Sequence, residues 1–116
     1  MRDFRRLEVW QDAIDLVQKV YLISKELPIS EKYGLIAQMK RCAVSIPSNI
    51  AEGSSRRTLP DYRRFIEIAI GSAFELETQL VICKQLGFIS QGDVHIILNE
   101  LTILQKRLAA FQKSLC

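Results

Sequence analysis

From Val94 to the end of the chain the apolar residues fall at Val94, Ile97, Leu101, Leu104, Leu108, Phe111 and Leu115, an unbroken alternation of threes and fours. Among regular structures only an α-helix puts such positions on one side, because its 3.6-residue period stacks i, i+3, i+4 and i+7. A stripe this long has to be covered, and the same rhythm upstream supplies the cover. Tyr62, Ile66, Ala69, Ala73, Leu76, Leu80 and Cys83 repeat it before Gly87, which reads as a left-handed C-terminal stop. Thr58 with Asp61, and Ser90 with Asp93, stand where side chains cap the first turns of these two helices.

The first half of the chain carries two more helical segments. In the first, Val9, Ala13, Leu16, Val20, Ile23 and Leu27 form one apolar series and Leu7, Trp10, Ile14, Val17 and Tyr21 another beside it, until Pro28 ends the run. The second begins near Glu31 and carries Ile36, Met39, Ala43, Ile46 and Ile50. Four helices joined by short links return antiparallel beside one another, so the expected fold is all-α, an antiparallel up-down four-helix bundle. At 116 residues the chain is one domain's worth, and 48% apolar against 25% charged residues is a globular balance.

Pro47 lies inside the second apolar series, where it removes one backbone hydrogen bond and clashes with the preceding turn, at about 3 kcal/mol if nothing compensates. Ser45, Ser48 and Asn49 surround it with side chains able to bond a disturbed backbone. The apolar spacing continues on both sides. The expectation is therefore a second helix kinked at Pro47 and stopping at Gly53, and the alternative is a separate short helix that starts at the proline.

Beyond that point lies the densest charge in the chain. Lys40, Arg41, Arg56, Arg57, Arg63 and Arg64 are opposed between them only by Glu52 and Asp61, within an overall net charge of +3. Guanidinium forks of this kind suit phosphate oxygens. The competing reading is helix-end complementation by Arg56 and Arg57 and plain solvation of Arg63 and Arg64.

Other chemistry finds little support. His95 is the one histidine, which excludes the paired Glu-x-x-His motifs of di-iron bundles. Glu75 and Glu77 are two apart on a helix and diverge, and no phosphate-binding glycine loop or nucleophile elbow occurs. Cys42, Cys83 and Cys116 are odd in number and widely spaced, so they suggest neither a disulfide framework nor zinc and fit a reducing cytoplasm. No apolar run approaches the roughly 18 residues of a membrane span. The reading is a non-enzymatic protein without metal or cofactor.

Apolar residues also lie off the main stripes: Ile68, Ile70 and Phe74 in the third helix, Ile96 and Ile103 in the fourth, with Gly71 opening a small-residue step. Surplus apolar surface marks a partner site, so self-association through these faces is expected, unless the core stripes are unusually broad.

The runs LEVWQDA, YGLIAQMKRCAVSIPSNIAEG and RRFIEIAIGSAFELETQL together resemble the bacterial 23S rRNA intervening-sequence (S23) protein family over essentially the whole chain. The resemblance implies a kinked bundle assembled into a ring, a homopentamer, with RNA association. It also implies kinship with the accessory protein of diversity-generating retroelements, a basic pentamer that binds nucleic acid and a reverse transcriptase. It gives SIPSNIAEG structural work, in which Asn49 and Glu52 form a buried or interfacial polar pair around the backbone opened by Pro47, and Gly53 turns the chain toward the arginines. The combined expectation is an oligomer that binds RNA or DNA through basic edges, with a protein-protein scaffold that touches no nucleic acid as the alternative.

Overall fold

The computed structural model describes residues 2–116. Helix α1 spans Glu8–Ser24, α2 Leu35–Ser54, α3 Leu59–Gln85 and α4 Gln91–Ser114, with short 3-10 turns at Phe4–Arg6 and Ile29–Glu31. No strand occurs among the described residues. Each helix packs against its neighbours in sequence, α1 closes against α4, and diagonal pairs do not meet, which is an antiparallel up-down four-helix bundle of 44 × 24 × 20 Å.

One continuous apolar cluster draws on all four helices. The stripes of α3 and α4 enter it as their spacing predicts, with Ile66, Leu76, Leu80, Leu101 and Leu108 fully buried. Of the two series on α1, the one from Val9 to Ile23 is buried, and Leu27 joins it from the following link. The neighbouring series is half-buried, and its last member, Tyr21, is exposed. Thr58 and Ser90 accept from the amides of Asp61 and Asp93 at the starts of α3 and α4. Gly87 takes the left-handed conformation at φ 74°, and the Phe88 amide donates back to the Cys83 carbonyl, closing α3.

α2 departs from expectation at both ends. Its start is displaced from Glu31 to Leu35, because Ile29–Glu31 makes a 3-10 turn and the Glu31 carboxylate reaches forward to accept from the Leu35 amide at 3.3 Å. The helix then passes unbroken through Pro47, so the proline begins no separate helix; it marks the one turn that lacks a backbone donor, where a helix bends. Asn49 Nδ2 donates to the Ser45 carbonyl at 2.8 Å and to Ser45 Oγ at 3.0 Å. Ser45 Oγ in turn shares a 2.8 Å hydrogen bond with Ser72 Oγ on α3. The side chains around the proline therefore tie the disturbed turn to the next helix.

Gly53 does not stop α2. It is buried inside the helix, where an added Cβ would lie 2.8 Å from the Phe65 Cβ and 3.1 Å from Tyr62 Cδ1. Its lack of a side chain lets α2 and α3 approach, and that contact carries the helix one residue further. The last carbonyls are then taken by Ser54 Oγ, which donates to Ala51, and by Ser55 Oγ, which donates to Glu52.

Candidate nucleic-acid interface

Antiparallel packing brings the N-terminal turn, the end of α2, the start of α3 and the end of α4 to one end of the bundle. The carbonyls that end α2 carry partial negative charge, and Arg2 meets them: its Nη1 donates to the Ser54 and Arg56 carbonyls while its guanidinium lies 5.0 Å from the centre of the Tyr62 ring. Tyr62 itself packs edge-on against Phe111, and burial pushes its phenol above its ordinary pKa.

Around this anchor the arginines take distinct places. The guanidinium of Arg56 lies 4.6 Å, and that of Arg64 4.8 Å, from the centre of the buried Phe65 ring. Each also has a carboxylate within reach, Glu52 near the end of α2 at 3.4 Å from Arg56 and Asp61 in the first turn of α3 at 4.0 Å from Arg64. These are exposed pairs worth roughly 0.2–1 kcal/mol, weak enough for phosphate to displace. Arg57, next to Arg56 in sequence, is exposed. Arg56 Nε is buried without a hydrogen-bond partner, which leaves one donor of this cluster unused.

Arg63 has a different task. It donates to the Leu115 carbonyl at 2.7 Å, and Gln112 donates to the Arg63 carbonyl at 3.2 Å, fastening the end of α4 to α3. It also lines a cleft of about 840 Å³ with Arg64, Lys113 and Gln112. Lys40 and Arg41 are not part of this corner. They lie on α2 some fifteen residues from Arg56, about 22 Å along a helix. Lys40 Nζ sits 4.7 Å from the centre of the Tyr21 ring, and Arg41 borders the α2–α3 groove.

The other assigned positions are equally specific. Asn49 bonds Ser45 and Glu52 is exposed beside Arg56, so the two form no pair with each other. Ile68, Phe74, Ile96 and Ile103 are exposed, and Gly71 opens onto empty space. Ile70 instead packs against the core. Glu75 and Glu77 engage different helices, Glu75 accepting from the Cys42 thiol and Glu77 from Gln105. Burial, then the Glu75 hydrogen bond and charge, push the Cys42 thiol up to about 12, while burial followed by the charge of Glu31 raises Cys83. Both thiols are protonated, unreactive fillers at neutral pH. Among the described residues no cluster of His, Cys, Asp and Glu gathers to hold a metal ion, and no helix is long and apolar enough to cross a membrane.

Sequence reasoning missed Arg2 and Lys113. The basic run at residues 2–6 was the available signal for Arg2, but its targets lie more than fifty residues away.

The family model described as "23S rRNA-intervening sequence protein" matches residues 5–110. A crystal structure of a protein of unknown function from the S23 ribosomal protein family of Bacteroides thetaiotaomicron superposes with a TM-score of 0.84 at 24% identity, covering 90% of this chain and 98% of that one. Neither description names an enzymatic activity. No curated protein matches the sequence.

Proposed function

Because this chain belongs to the 23S rRNA-intervening sequence protein family, we propose that it is a non-enzymatic, cytoplasmic homo-oligomer that binds RNA, or another nucleic acid, through its arginine corner. The observation that carries this reading is the grouping of Arg56 and Arg64 over Phe65, their only ion-pair partners among the described residues being exposed carboxylates, with Arg57 exposed next to Arg56 in sequence. Planar guanidinia held on an aromatic ring lose little freedom on meeting phosphate. The family description, which refers to 23S rRNA, favours RNA over DNA.

Self-association supplies what one corner lacks. Ile68, Phe74, Ile96 and Ile103 leave apolar surface on α3 and α4, and a ring of copies, five by the family resemblance, buries it while repeating the corner. Repetition raises avidity without a stronger single site. Light scattering and binding of a structured RNA at two salt concentrations test the two parts together. The expected results are a mass several times 13.3 kDa and an affinity that falls steeply with salt. A monomer mass removes the ring. Affinity indifferent to salt, or unchanged in the Arg56→Gln/Arg57→Gln/Arg64→Gln variant, leaves a protein-protein scaffold in its place.

A further inference from the structure

At the opposite end of the bundle, α1, the link that follows it and α2 line a groove of about 890 Å³. Its floor is apolar, built by Val17, Leu27 and Ile36, and its lips carry Leu22 and Ile29, which are 64% and 87% exposed. Lys25, Lys32 and Lys40 rim it, and no carboxylate lines it. The acidic residues nearest in sequence face elsewhere, Glu31 accepting from the Leu35 amide and Glu26 lying beside Asp93 on α4, whose carboxylate raises its pKa. None of the three lysines joins an ion pair among the described residues. Lys40 and Lys32 instead lie against the rings of Tyr21 and Tyr33, at 4.7 and 5.5 Å from their centres.

We propose that this groove docks an acidic amphipathic helix of a partner protein. An apolar trough between two helices accepts the i, i+3, i+4, i+7 face of a third helix. From Val17 to Lys25 the trough runs about 12 Å along α1, roughly two helical turns. Unpaired lysines on both sides meet glutamates or aspartates flanking such a face, and charge of one sign selects the partner and its register. A second copy docking groove to groove sets these lysines against themselves, so the charge that favours an acidic partner disfavours symmetric self-association here. The site is independent of the arginine corner and does not rest on nucleic-acid binding.

The test uses the full-length protein and a labelled synthetic helical peptide with leucines at i, i+3, i+4 and i+7 and glutamates on both flanks, read by fluorescence anisotropy. Its controls are a scrambled peptide, a lysine-for-glutamate peptide, and vesicles of neutral lipid. Two variants accompany the wild type, Lys25→Glu/Lys32→Glu/Lys40→Glu and Leu22→Asp, at exposed positions except the half-buried Lys40, with helix content checked by circular dichroism. The expected result is saturable binding of the acidic peptide, weakened at least about tenfold in both variants and by added salt, with the charge-reversed protein now preferring the lysine peptide. Absence of binding, equal binding of the scrambled peptide, equal binding of vesicles, or unchanged affinity in the variants overturns the proposal. So does a drop in assembly mass in Leu22→Asp, which assigns the groove to a second copy.

Discussion

The two ends of the bundle are both basic and are built in opposite ways. At one end arginines are engaged by their own chain: Arg2 on the carbonyls of α2, Arg63 on that of Leu115, and Arg56 and Arg64 on Phe65. At the other, lysines stand around an apolar groove without ion-pair partners among the described residues. A planar, delocalised cation can be positioned by rings and carbonyls and still offer a fork of donors outward, whereas an ammonium, even against a ring as Lys32 and Lys40 are, offers a compact point charge. Charge alone therefore does not describe the molecule: one end presents guanidinia suited to phosphate, the other ammonium groups around an apolar place for side chains.

The comparison breaks first at Phe65. Phe65→Ala removes a buried ring that supports two guanidinia, and it is expected to cost about 3 kcal/mol in urea unfolding while weakening RNA binding. Gly53→Val is next, since a branched side chain meets Phe65 and Tyr62 at once, with an expected loss of about 2 kcal/mol and a shifted α2–α3 contact. Arg2→Ala should lower stability by about 1 kcal/mol through the uncapped end of α2. At the other end, Lys25→Gln/Lys32→Gln/Lys40→Gln is expected to leave stability within about 0.5 kcal/mol of wild type, because those lysines join no ion pair among the described residues.

A further expectation concerns pH. The Cys42 thiol is raised from its ordinary 9.0 to about 12 by burial and then by Glu75, so the folded protein holds that proton where the unfolded chain has released it. Its contribution to stability is full below about pH 9 and is lost as pH rises toward 12. Unfolding free energy measured from pH 8 upward should decline, and Cys42→Ala should flatten part of that decline.

What the sequence made legible was periodic or local. The α3 and α4 stripes, the Thr58 and Ser90 caps and the Gly87 stop each depend on residues a turn or two apart, and all are present. The missed features depend on contacts between helices. Gly53 resembles a helix stop until Phe65 and Tyr62 are placed against it. The two α1 series are equally periodic, and only the positions of α2 and α4 decide which is buried. The Lys40–Arg64 charge cluster came apart because neighbours in sequence along α2 separate by 1.5 Å per residue, sending Lys40 and Arg41 away from Arg56. The corner's anchor, Arg2, reaches carbonyls that no local pattern connects to it.

The division of labour between the two ends is tested most directly by the slope of log affinity for a single-stranded RNA against log salt, in the wild type and two variants. The account predicts that Arg57→Gln/Arg64→Gln lowers the slope by about 0.7 for each phosphate no longer neutralised, and that Lys25→Gln/Lys32→Gln/Lys40→Gln leaves it unchanged. Equal changes in both variants, or none in the arginine variant, would contradict it.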